Sequence, residues 1–204
     1  MFTGTAAEPL LSAQNLSLER GGRQLFEGLS FEVLPSQLIQ IEGANGAGKT
    51  SLLRILAGLS QYGFEGHIFR PVIPLFLGHQ SAVKGLLSPR ENLAWHIAGA
   101  AEPSDIEIDD ALARVGLYGY EDTPSHALSA GQHRRVNIAR LFLSVSPLWL
   151  LDEPFTAIDA AGVAGIEALL QQHLEGGGAV VLSSHQLLQT LEQVQTLSLL
   201  EGLL

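Results

Sequence analysis

Gly43-Ala-Asn-Gly-Ala-Gly-Lys-Thr50 decides the fold of this chain. It fits the pattern G-x-x-x-x-G-K-[ST], in which glycines let the backbone wrap closely around anionic oxygens. Its flanks agree with that reading. Gln37-Leu-Ile-Gln-Ile-Glu42 reads as a buried strand, and Lys49 to Ala57, apolar at Leu52, Leu53 and Leu56, reads as a helix that Gly58 stops. Strand, loop and helix in that order aim the positive end of the helix at a phosphate. Lys49 then reaches β and γ phosphates, and Thr50 presents its hydroxyl to Mg²⁺.

The surrounding chain extends this unit into an α/β domain. Leu11 to Leu18 and Gln24 to Val33 read as strands around the turn Arg20-Gly-Gly-Arg23, and Gly63 to Phe76 is β-like and punctuated by prolines. Ser88 to Val145 is helical in character. Ser88-Pro-Arg-Glu91 spells a capped helix start, Ser104 to Val115 carries an apolar stripe at Ile108, Ala111, Leu112 and Val115, and Gln132 to Leu143 is a further amphipathic helix. Trp149 to Asp152 and Ala179 to Ser183 are buried strands separated by a helix from about Ala160 to Leu174, which Gly176-Gly-Gly178 ends. Strand–helix–strand order implies parallel pairing with right-handed crossovers.

Bulk properties narrow the function classes. The 204 residues are of single-domain size, 46% are hydrophobic, and no stretch approaches the ~18 apolar residues of a membrane span. The expectation is a soluble chain whose membrane role, if it has one, runs through partners. Met1 to Pro9 lacks the basic start and apolar core of a secretory signal. The absence of cysteine excludes disulfides, thiolate metal sites and thioether haem attachment. A net charge of −10 argues against nucleic acid as a partner. It does not argue against ATP, because a phosphate site is a local arrangement of N–H groups and one lysine.

Two further stretches give the loop its context. Leu128-Ser-Ala-Gly-Gln132 starts a helix, and Leu148-Trp-Leu-Leu-Asp-Glu153 is an apolar run ending in two carboxylates, with Asp152 23 residues after Ser129. In a parallel sheet Asp152 would stand at the carboxyl edge, where such sheets bind ligands, and an acidic pair buried there calls for a cation. Together these stretches resemble the ATP-binding-cassette (ABC) family from about Leu11 to Leu200.

The resemblance implies a P-loop NTPase fold over residues 10–204. Its parts are an N-terminal antiparallel β arm and phosphate-loop unit (about 10–80), a helical subdomain with the signature (about 81–145), and the rest of a RecA-like, mostly parallel core (about 146–204). It implies that Gly43, Ala44, Asn45, Gly46, Ala47, Gly48, Lys49, Thr50 and Ser51 hold ATP. Thr50, Gln80 and Asp152 would attend Mg²⁺. Glu153 would polarise water, with His185, 32 residues further on, and Gln80 assisting. Ser129, Gly131 and Gln132 would cap ATP held by a second copy of the chain, with Asp159 communicating across that dimer. Asp159 also reads as a plain helix cap. Ala130 stands where glycine is commoner. The aromatic that many cassettes stack on adenine is missing at the corresponding place, Arg20, leaving Arg20 itself or Phe26 for that contact.

Within the family, several stretches resemble the haem-exporter cassettes of bacterial cytochrome c maturation. They are Gln40-Ile-Glu-Gly-Ala-Asn-Gly46, Gly78-His-Gln80, Arg134-Arg-Val136 after the signature, and Leu151-Asp-Glu-Pro-Phe-Thr-Ala-Ile-Asp159. That likeness implies multi-span membrane partners and a place on the cytoplasmic face of the bacterial inner membrane. Hydrolysis would drive haem export or release of a loaded haem chaperone. Another small exporter's ATPase, a soluble assembly-factor ATPase and a non-hydrolysing ATP sensor are the alternatives. Direct haem binding is not expected. The seven histidines are His67, His79, His96, His126, His133, His173 and His185, and no two are three or four residues apart, as an axial pair on one helix would be.

Overall fold

A computed structural model describes residues 7–95, 102–185 and 194–199. His96 lies outside them. The chain divides into two compact units: residues 1–76, 146–154 and 167–204, and residues 77–145 and 155–166.

The first unit contains an antiparallel sheet of β1 (Leu11–Arg20), β2 (Arg23–Val33) and β4 (Glu65–Phe69), in the order β2-β1-β4. Gly21 and Gly22 close the β1–β2 hairpin at φ 60° and 75°, the paired positive values that a two-residue turn matching strand twist requires.

A second sheet comprises β3 (Leu38–Glu42), β5 (Leu75–Leu77), β6 (Leu148–Asp152), β7 (Ala179–Ser183) and β8 (Val194–Ser198), in the order β5-β6-β7-β3-β8. β3 pairs in parallel with β7 and β8, and β6 in parallel with β7. This order sets the carboxyl ends of β3, β7 and β6 side by side, which assembles the site. α1 (Lys49–Leu56) follows β3 and closes in a glycine-capped C-terminus at Gly58, whose N–H bonds Ile55 while that of Leu59 bonds Arg54. α1 buries Leu52, Leu53, Ile55 and Leu56 in a core shared with Leu148, Leu150, Ala179 and Val181.

The second unit is helical. α2 (Pro89–Ala94) and α3 (Asp105–Arg114) each begin with a capping box, Ser88 with Glu91 and Ser104 with Glu107. α4 (Ala130–Leu143) begins at the signature. Leu93, Ile108, Ala111, Leu112, Leu117, Val136 and Ala139 form its core. Arg90 Nη1 donates to Asp109 Oδ1 at 2.6 Å and Arg90 Nε to Asp122 Oδ1 at 2.9 Å, tying α2 to α3 and to the loop after it. α5 (Ala160–Glu175), whose residues from Glu167 onward belong to the first unit, ends just before Gly176.

β8 is the element that the sequence pattern did not predict. Val194-Gln-Thr-Leu-Ser198 is a short edge strand, mostly solvent-facing, so its composition carries little of the buried-strand signal that marks β3, β6 and β7. None of its five residues is buried.

Candidate functional site

In the phosphate loop, Gly48 stands at the N-cap of α1 with φ 101°, a conformation glycine adopts without strain. A Cβ there would also come within 3.2 Å of the Leu25 Cβ. No side chain caps the helix, so its first amides face an anion site directly. Asn45 and Gly46 form the exposed crest of the loop, and Ala47 is buried beneath it. Lys49 is 8% exposed, and its ammonium donates to the carbonyls of Gly43 (2.6 Å) and Ala44 (3.2 Å). It lies folded onto the loop that it would serve.

β6 delivers Asp152 into a fully paired setting. Asp152 is 1% exposed, and it accepts hydrogen bonds from Thr50 Oγ1 (2.9 Å) at Oδ2 and from Ser183 Oγ (2.8 Å) at Oδ1. The buried charge is thereby compensated by two hydroxyl donors. Thr50 and Asp152 present a hydroxyl and one carboxylate, a set that suits Mg²⁺ arriving with nucleotide phosphates. Among the described residues no cluster of three or more histidine, cysteine or acidic side chains is able to hold a metal by itself.

Glu153 sits at φ 51°, in the left-handed region that non-glycine residues rarely occupy. Its N–H reaches Ser183 Oγ at 3.0 Å, which holds the turn. The turn sends the Glu153 carboxylate toward His185, whose Nε2 lies 3.4 Å from Glu153 Oε1. His185 leaves β7 and is mostly exposed. Ser183 is a residue that sequence reasoning passed over. It is completely buried and joins the backbone of Glu153 to the carboxylate of Asp152. The available signal was a pair of hydroxyls, Ser183-Ser184, ending an otherwise apolar strand.

Of the remaining predicted residues, Arg20 is exposed at the hairpin end of β1. Phe26 is 4% exposed within the core, so its ring is not offered to a base. Gln80, Ser129, Gly131, Gln132 and Asp159 belong to the helical unit. Ser129 caps α4 in a reciprocal box: its Oγ accepts from the Gln132 N–H (3.2 Å), and Gln132 Oε1 accepts from the Ser129 N–H (2.8 Å). Asp159 fulfils its plainer reading as well. Its Oδ1 accepts the Gly162 N–H at the start of α5 (2.8 Å), and its Oδ2 pairs with Arg135 Nη2 (3.0 Å). Gln80 is exposed.

A phosphate loop, a hydroxyl–carboxylate pair and a glutamate–histidine pair on one sheet edge define a P-loop nucleotide-binding protein. The chain belongs to the ABC transporter family, whose sequence profile matches residues 26–156. It binds ATP and hydrolyses it. The cytochrome c biogenesis ATP-binding export protein CcmA of Pseudomonas savastanoi pv. phaseolicola is 48% identical over 198 residues, covering 91% of this chain and 92% of the relative. The protein of the same name from Hahella chejuensis is 46% identical over 207 residues, covering 96% and 98%. A dimeric ATP-binding cassette solved in a post-hydrolysis state with ADP and phosphate superposes with a TM-score of 0.75 at 22% identity, over 86% of this chain and 88% of that one. That last likeness bears on the fold alone.

Proposed function

We propose that this chain is the ATP-hydrolysing subunit of a membrane ABC complex in c-type cytochrome maturation, coupling turnover to haem export or to release of a loaded haem chaperone. The observation that carries this reading is near-full-length identity of 46–48% to proteins named for that process. ATP entering the loop exchanges its phosphate oxygens for the Gly43 and Ala44 carbonyls now bound by Lys49. Thr50 and Asp152, and Gln80 by its family role, would hold Mg²⁺, which would supply neutralisation of phosphate charge. Glu153 takes a proton from the attacking water, and His185 orients both the glutamate and the γ phosphate. The Arg20 guanidinium lies on adenine.

Two copies of the chain assemble head to tail, so that Ser129, Gly131 and Gln132 of each cap the ATP held by the other, with Asp159 at the junction. The chain attaches through multi-span partners at the cytoplasmic face of the bacterial inner membrane, a reading that rests on the likeness to the cytochrome c biogenesis export proteins. Among the described residues no helix is long and apolar enough to cross a membrane. Neither nucleic acid nor haem is bound by this chain.

The test is Lys49→Ala in cells together with recovery of the wild-type chain from membranes. The reading expects loss of c-type cytochromes in the variant and co-purification of multi-span proteins with the wild type. Normal cytochrome maturation in the variant would overturn it, and recovery without membrane partners would point to a soluble assembly factor.

A further inference from the structure

Arg134, Asn137 and Arg140 recur every third residue along α4, so they form one stripe of that helix. All three are buried, at 4%, 1% and 4% exposure, beside the apolar core residues Val136 and Ala139. Burying polar and cationic side chains along a helix is unfavourable unless their partners justify it. The two arginines both reach the backbone of one short segment, residues 78–82, and Asn137 pairs with Arg140. Arg134 Nη1 donates to the carbonyls of Gly78 (2.9 Å) and His79 (3.3 Å). Arg140 Nη2 donates to Ala82 at 3.4 Å, while its Nη1 bonds Asn137 Oδ1. Ser81 Oγ returns a contact to the His133 carbonyl at 3.4 Å.

Residues 78–82 have no helix or strand ladder of their own. Three of their five carbonyls are bound by arginines of α4 instead. Gln80 sits between the bound carbonyls, with its side chain exposed. The stripe is also poorly optimised for stability alone: Asn137 Nδ2 and Arg140 Nε are buried without a hydrogen-bond partner. Burial pushes the Arg140 guanidinium down to about 10. An apolar face would pack at lower cost. What this face supplies is a fixed backbone on either side of Gln80.

We propose that Arg134, supported by Asn137 and Arg140, is the positioning residue that sets Gln80 for turnover by clamping the carbonyls that flank it. This rests on the reading of Gln80 as a participant in hydrolysis. The clamp couples the helix that begins with the signature directly to the glutamine segment, within the helical unit.

The experiment uses the full-length protein with Arg134→Met, which keeps bulk but donates no hydrogen bond, and Arg134→Lys, which keeps charge but lacks the planar fork. Turnover should fall about ten- to a hundredfold in Arg134→Met, the scale of a misplaced catalytic group, with the KM for ATP within about twofold. Amide exchange in residues 79–82 should quicken by about tenfold or more while the core of α3 and α4 keeps its protection. Arg134→Lys should recover part of both. Combined with Gln80→Ala, Arg134→Met should add little further loss, because both act through one group.

Multiplicative losses in the double variant, or unchanged exchange at 79–82, would overturn the clamp. Should Arg134→Met fail to fold, Arg134→Lys decides by the same two readouts. Normal turnover in Gln80→Ala alone would overturn the catalytic reading of Gln80, and exchange at 79–82 would still decide whether the clamp exists.

Discussion

The hydroxyl of Ser183 donates a 2.8 Å hydrogen bond to Asp152 Oδ1 in the interior of the parallel sheet. The same oxygen accepts the N–H of Glu153, so one side chain fixes the buried Asp152 carboxylate and the turn carrying Glu153, the proposed general base. Ser183→Ala should therefore lower unfolding free energy by about 1–3 kcal/mol, the range for a buried polar group losing its partner. Turnover should fall while ATP affinity holds. Denaturant unfolding and steady-state hydrolysis check both, and an unchanged stability would mean that the hydroxyl is not the partner of Asp152.

Glu153→Gln keeps size and shape but removes the carboxylate proposed as the base. Hydrolysis should slow by about 10² to 10⁴, the usual range for a lost general base, with ATP still bound. The ATP-loaded dimer should then persist long enough to be resolved by size-exclusion chromatography. Near-normal hydrolysis would remove Glu153 from the mechanism.

Much of this arrangement was readable before the fold. The phosphate loop, the apolar strands β3, β6 and β7 and the capping box at Ser88 are local patterns, and local patterns survive without tertiary context. β8 escaped because an exposed edge strand has no apolar run to announce it. Ser183 and Arg134 escaped for a different reason. Each acts through contacts distant in sequence, Ser183 on Asp152 31 residues away and Arg134 on Gly78 56 residues away. A serine ending a strand or an arginine on a helix carries no local mark of such a partner.

Ser129 offers a direct test of the two-copy site. Its Oγ is engaged in capping α4, so an arginine there removes the cap and places bulk at the helix start. Loss of an N-cap lowers stability by about 0.5–2 kcal/mol, which a folded domain tolerates. Ser129→Arg should leave a monomer that binds ATP through its own phosphate loop but no longer hydrolyses it. Equilibrium binding with a fluorescent ATP analogue separates the two. Equal loss of binding and hydrolysis would show that the signature serves its own chain's nucleotide.

His173 gives the fold a dependence on pH that is independent of the site. Its ring stacks on Trp149 with centroids 3.7 Å apart and planes 7° from parallel. The lack of a side chain on Gly178 makes room, since a Cβ there would stand 2.3 Å from the imidazole. Burial lowers the His173 pKa from its ordinary 6.5, a shift opposed in part by the backbone at Ala179 and Pro147. Below pH 6.5 the unfolded chain therefore binds a proton that the folded chain resists, and stability falls as pH drops from 6.5 toward the lowered folded value. Above pH 6.5 both states hold His173 neutral, and its contribution is constant. His173→Phe keeps an aromatic ring over Trp149 but cannot titrate. Its unfolding free energy should lose part of its slope between pH 5 and 6.5, relative to the wild type, whatever the packing change does to its absolute value. Denaturant titrations at half-unit pH steps measure the two slopes, and identical slopes would mean that His173 titrates alike in the folded and unfolded chains.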